Sequence, residues 1–207
     1  MKEKTGAIFM TLGVCCVLAA GLLLWHNARE DRLAGEAAEN IENLLQQQIA
    51  QAQANDGDHE LTELAPAPED NNAMPALAVH GYDYIGAISI PAIERELPVI
   101  DQCDLTRLKT APCRYYGSVA QDDLVIAAHN YNRHFGLISQ LSIGDQVVFT
   151  SINGDQVEYE VSASLVLATE ATEEMVTGEV WDLTLFTCTY GGQERITVRC
   201  TRRETQE

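Results

Sequence analysis

Twenty consecutive residues near the N-terminus, Gly6 to Trp25 (GAIFMTLGVCCVLAAGLLLW), carry no charge. At about 1.5 Å per residue, a helix of that length reaches roughly 30 Å, the thickness of a bilayer's hydrocarbon core. A cleaved signal peptide has an apolar stretch of about 7–15 residues ending in a small-x-small site. This run is longer and leaves through Leu22, Leu23, Leu24 and Trp25. A buried core helix is a poor fit because no polar residues mark a second face. The segment reads as an uncleaved anchor. Lys2 and Lys4 favour a cytoplasmic N-terminus, which puts everything after Trp25 outside the cell, although Arg29 and Arg32 just past the span pull the other way.

The 207 residues suffice for one ordinary domain plus accessories. Net charge is −18, and residues 26–78 alone hold 11 acidic against 2 basic side chains. A surface this acidic repels phosphate backbones, and no basic stripe with interleaved aromatics appears, so nucleic acid is excluded as a partner. Residues 28–53 are rich in Ala, Gln and Glu, with Leu33, Ala37, Ile41, Leu44 and Leu45 near helical spacing. They read as a weakly amphipathic helix, or else as a solvated stalk. Asn55 to Pro75 collects acids and prolines with few large apolar groups, and reads as a flexible spacer. The expected division is an anchor over 1–27, an acidic helical and flexible stalk over 28–78, and a folded domain over 79–207.

In that domain the texture turns to short β-like runs separated by turns. Expected strands are Tyr84–Ile90, Leu97–Ile100, Leu124–His129, Gln146–Ser151, Val157–Leu167, Asp182–Cys188 and Arg195–Arg203. Asn153-Gly154 marks a hairpin. Short helices are expected over Asp104–Lys109 and Phe135–Gln140. The fold class is mostly β: a small closed barrel of about eight largely antiparallel strands with short helices.

Beyond the anchor, which holds Cys15 and Cys16, the cysteines are Cys103, Cys113, Cys188 and Cys200. Four cysteines on the outside normally suggest two disulfides. Cysteine chemistry, by contrast, needs a thiolate with a base or cation beside it. Of the five histidines, His129 and His134 lie within the domain, both before Cys188. His129 ends an apolar strand, where a catalytic and a structural histidine fit equally well. His134 sits in the polar loop NYNRHF and reads as solvated. If the last two strands pair across Thr189–Glu194, Cys188 faces Arg195 and Thr184 faces Arg199. Arg199 then lies about 13 Å down the strand from Arg195, and Cys200 roughly 16 Å down on the opposite face, out of disulfide reach of Cys188.

"TLFTC" followed by "RITVR" resembles the TLxTC…R signature of sortases, the cysteine transpeptidases of Gram-positive cell surfaces. "IGAISIPAIERELPV", "LVIAAHN" and "LSIGDQVVF" follow the family's order, so the resemblance covers about residues 82–203 plus the anchor. It implies Cys188 as nucleophile, His129 as general acid/base, Arg195 as the oxyanion-stabilising cation and Thr187 as a substrate-binding residue. It implies no cofactor. The reaction would cleave an LPxTG-like sorting signal between Thr and Gly through a thioacyl-enzyme. The acyl group would then pass to an amine from a peptidoglycan precursor or a pilin lysine. The short stretch Ala168–Val180 leaves little room for the class B helix. No Asp-Pro-Trp-like lid or second apolar span supports class C. Glu170, Glu173 and Glu174 are either a calcium site, as in some class A members, or a solvated loop. Two other readings compete: a non-catalytic β-module with Cys103–Cys113 and Cys188–Cys200 disulfides, and a cysteine peptidase that releases its product to water.

Overall fold

The computed structural model describes residues 2–55, 73–176 and 180–203. The first element, α1, runs unbroken from Lys2 to Asn55. No proline precedes Pro66, and after the apolar run Ala, Leu, Gln and Glu keep helix propensity high. Anchor and stalk helix, expected as two pieces, are therefore one. The spacer expected to follow lies mostly outside the described residues.

The chain divides into two compact units, Met1–Leu33 and Ala34–Glu207. Within the first, Leu12–Leu33 has the length and apolar character of a membrane anchor or a signal sequence, and its large side chains, among them Leu22, Leu23 and Trp25, are exposed. Within the second, Ile41, Leu45 and Ile49 are buried at four-residue spacing. That spacing lines one face of a helix. Ile41 and Leu45 pack in a cluster with Tyr84, Ile100, Ala111 and Cys113.

The β-structure comprises β1 (Leu77–Val79), β2 (Tyr82–Ile90), β3 (Arg95–Ile100), β4 (Cys113–Tyr116), β5 (Leu124–Ala127), β6 (Gln146–Ser151), β7 (Gln156–Ala168), β8 (Leu183–Cys188) and β9 (Glu194–Arg202). A five-residue helix, α2 (Thr172–Val176), separates β7 from β8. The strands lie in the order β1-β2-β3-β4-β5-β8-β9-β7-β6, and β6 pairs back onto β2. Eight strands thus close into a barrel with β1 appended, which removes the unpaired edges of an open sheet. The expected closed, mostly β barrel is the observed fold. Two of its ladders, β3–β4 and β5–β8, are parallel. The polar strand β4 and the short β1 are additions to the expected set.

Alternation along the strands builds the core. Leu183 and Leu185 of β8 join Ile88, Val99, Ile126, Phe149 and Val198 in the barrel interior. Phe186, on the other face, joins Val125, Leu167 and Met175. The two expected short helices are single 3-10 turns, Arg107–Lys109 and Ile138–Gln140.

Barrel closure depends on Gly86. Its φ is +152°, β2 bulges beside it, and a Cβ there would lie 2.1 Å from Thr150 O of β6. We expect Gly86→Ala to destabilise the barrel by about 3 kcal/mol through that clash and the backbone strain. Denaturant unfolding measures this; an unchanged midpoint would refute the close approach of β2 and β6.

Candidate active site

β5 and β8 run parallel, with Leu124 opposite Leu183 and Ala127 opposite Phe186. The contact continues past the end of β5: Ala128 N–H donates to Phe186 O (3.1 Å), and the Thr187 hydroxyl donates to Ala128 O (2.8 Å). His129 lies two residues beyond Ala127, and Cys188 two residues beyond Phe186. The shared register therefore brings both out at the same barrel rim. On the other side of β8, Cys188 pairs with Arg195 of β9, the register expected from the hairpin. One strand end is thus flanked by the histidine's chain and the arginine's chain.

The thiols of the barrel are not equivalent. Cys188 is exposed, whereas Cys113 and Cys200 are buried. Burial pushes the Cys200 thiol up to about 12, and Cys113 is also raised far above its ordinary value. Neither offers a thiolate at neutral pH. Cys200 pairs with Leu183, at the opposite end of the ladder from Cys188. A Cys188–Cys200 disulfide is thereby ruled out, and with it half of the disulfide framework that the non-catalytic reading needs.

The two arginines of β9 differ in the same way. Arg199 is 5% exposed and donates to Thr184 Oγ1 (2.6 Å), Met175 O (3.0 Å) and Glu174 O. Its guanidinium is occupied in fastening the end of α2 to the barrel. Arg195 lies with its guanidinium carbon 5.2 Å from the centre of the Phe186 ring. Its Nε and Nη1 are buried and have no hydrogen-bond partner among the described residues. Phe186 is itself held edge-on by Tyr115, with ring centroids 5.2 Å apart. A cation braced on an aromatic face with two donors uncommitted is suited to receive a carbonyl oxygen.

One expectation requires correction. His134, read as solvated, is 0% exposed. The loop after β5 winds tightly: Tyr131 O accepts from both His134 N–H (2.9 Å) and Gly136 N–H (2.8 Å), and Phe135 N–H donates to His129 O (3.3 Å). This turns His134 inward beside the buried Phe135. Tyr131 then packs between the two imidazoles, 4.9 Å from His129 and 5.5 Å from His134 by ring centroids. Sequence reasoning missed Tyr131 and His134 as supports of His129; their one signal was the large apolar Phe135 beside them. Thr187 is also 0% exposed, and its hydroxyl is committed to Ala128 O. That bond ties β8 to the histidine's loop. Among the described residues no group of three or more potential ligands is placed to hold a metal ion.

A closed barrel whose rim presents a solvent-exposed thiol next to an arginine is the framework of a β-barrel cysteine enzyme. The Sortase domain profile matches residues 88–203, more than half of the chain, and the chain belongs to the sortase family of cysteine transpeptidases. Among solved structures it is similar to sortase C1 of Streptococcus suis, with 28% identity, 59% of this chain and 74% of that one covered, and a TM-score of 0.51. Sortase A of Corynebacterium diphtheriae shares 19% identity over 87% of this chain and 95% of its own, with a TM-score of 0.55. Sortase C1 of Streptococcus agalactiae shares 22% identity over 81% and 92%, also at 0.55. Likeness of this grade to A-type and C-type enzymes alike defines the family rather than a class. No curated protein sequence matches significantly.

Proposed function

We propose that this chain is a membrane-anchored sortase in which Cys188, His129 and Arg195 carry out transpeptidation on an LPxTG-like sorting signal. The observation that carries the reading is the strand end at Cys188, exposed between the chain of His129 and the uncommitted donors of Arg195. The Cys188 thiolate attacks the carbonyl carbon of the signal's threonine. The oxyanion that forms accepts hydrogen bonds from Arg195. As the C–N bond to glycine breaks, the His129 imidazolium protonates the departing amine, leaving a thioester on Cys188. An incoming amine then attacks the thioester, neutral His129 takes its proton, and the thiolate leaves. A new amide bond results, and the enzyme is restored.

The substrates in this reading are exported proteins carrying the signal. The acceptor is an amine of a peptidoglycan precursor or a pilin lysine; one fold neighbour, sortase C of Streptococcus pneumoniae, is described in terms of pilin substrate specificity. The apolar part of α1 serves as a single-pass anchor with Lys2 and Lys4 on the cytoplasmic side, a stalk up to residue 78, and the catalytic barrel over 79–207 outside the cell.

The test uses the full chain in detergent micelles with a library of sorting-signal peptides, with and without a simple amine. Amine-dependent ligation at the Thr–Gly bond is expected. The rate should fall at both ends of the pH range, because attack needs the thiolate and the imidazolium at once. Equal release of free acid with and without amine would instead identify a peptidase.

A further inference from the structure

Outside the rim, one pair of reactive groups is left over. Cys103 and Cys113 delimit the loop between β3 and β4, and that loop returns to its own starting point. Ile100, the last residue of β3, pairs in parallel with Cys113, and its N–H donates to Pro112 O (2.9 Å). Between them the chain is wound tightly: Leu108 N–H donates to Asp104 O (3.0 Å) and Ala111 N–H to Arg107 O (3.1 Å). Asp104 Oδ1 accepts the Thr106 and Arg107 N–H groups, each at 2.8 Å. Backbone pairing thus holds both ends together, and Arg114 Nε reinforces it by donating to Asp101 Oδ1 (2.8 Å). Cys113 is fully buried in the cluster with Tyr84 and Ala111, its thiol directed at Ala111 O (3.4 Å), and the half-buried Cys103 packs against that same cluster.

We propose that Cys103 and Cys113 are a redox pair that closes into a disulfide once the domain is exported, clamping the β3–β4 loop. The two side chains meet in one cluster, where Cys103 packs against the residues that surround Cys113. That contact holds the Cys103 thiol below its ordinary value, while the same contact and burial drive Cys113 upward. The more accessible cysteine is thus also the more acidic, which fits an attacking thiol with a buried resolving partner. The oxidant is a disulfide of the glutathione or protein-oxidoreductase type. The Cys103 thiolate attacks one of its sulfurs, the oxidant's S–S bond breaks, and one thiol leaves. The Cys113 sulfur then attacks the Cys103 sulfur of the mixed disulfide and passes its proton to the thiolate it expels, which leaves as the second thiol. Two protein thiols are oxidised and one disulfide is reduced.

The clamp lies where two clusters meet. Cys103 and Leu108 pack against both the cluster of Ile41, Leu45 and Tyr84 and the cluster of Val125, Met175 and Phe186. Phe186 is the ring that carries Arg195. The bond is independent of the catalytic assignments and stands or falls separately from them.

The full chain in detergent is equilibrated with excess oxidised glutathione, its remaining thiols are blocked under denaturant, and it is digested with trypsin. Cleavage after Arg107 and Lys109 leaves Cys103 and Cys113 in separate peptides. The expected result is a linked pair of these peptides, separable only by reductant. Reduction should lower the melting temperature by roughly 10 °C, as removal of a short cross-link does, and should leave a Cys103→Ser variant unmoved. Recovery of both cysteines as blocked thiols, or of Cys103 as a lasting glutathione adduct, would overturn the proposal. The wild-type digest decides the matter even if the variant does not fold.

Discussion

Replacing Cys188 by alanine is expected to abolish turnover, with a loss on the order of 10^5-fold or more, because no other group supplies the nucleophile. The other barrel cysteines are no substitute: Cys200 and Cys113 are buried with raised pKa values, and Cys103 sits with Cys113 in the β3–β4 loop. The check is intact mass after incubation with a sorting-signal peptide. Wild type should gain the mass of the acyl fragment, and the variant none. His129→Ala should lose about 10^2–10^4-fold in rate, since the departing amine then leaves without a positioned proton. A Cys188→Ala protein that still joined peptide to amine would remove the nucleophile assignment.

The second large effect separates the two arginines of β9. Arg195→Ala should lower kcat/KM roughly 100- to 1,000-fold with the melting temperature nearly unchanged, because the donors it removes are uncommitted in the resting enzyme. Arg199→Ala should do the opposite. It leaves the buried Thr184 hydroxyl and the carbonyls of Glu174 and Met175 without their charged donor, at a cost of about 3 kcal/mol. Its effect on rate should follow from loosening α2 rather than from lost chemistry. Steady-state kinetics paired with thermal melts for both variants checks this. A stable Arg199→Ala protein with a collapsed kcat/KM would reverse the assignment.

Local chemistry made several features legible. The uncharged run dictates an apolar helix of membrane-spanning length, and Asn153-Gly154 dictates a hairpin. The pairing of Cys188 with Arg195 is legible too, because two strands joined by a short turn have their register set by that turn. The polar strand β4 was not legible, since CRYY shows neither alternation nor an apolar run. Its place depends on pairing with β3 and β5, the strands before and after it in the chain, which its own four residues do not announce.

The barrel's rim divides along the same line. The sequence by itself determined the thiol–guanidinium pair, a contact between neighbours on one hairpin. Only the tertiary structure decided that His129 comes level with Cys188, because that depends on a parallel pairing of β5 with β8 across the intervening β6, β7 and α2. Closing so long a loop has an entropic cost that no local motif reveals and only the completed barrel offsets. The burial of His134 and the commitment of Arg199 to α2 are of the same kind. Each follows from which surfaces the closed barrel brings against a loop or helix, and a polar side chain's own sequence neighbourhood does not carry that information.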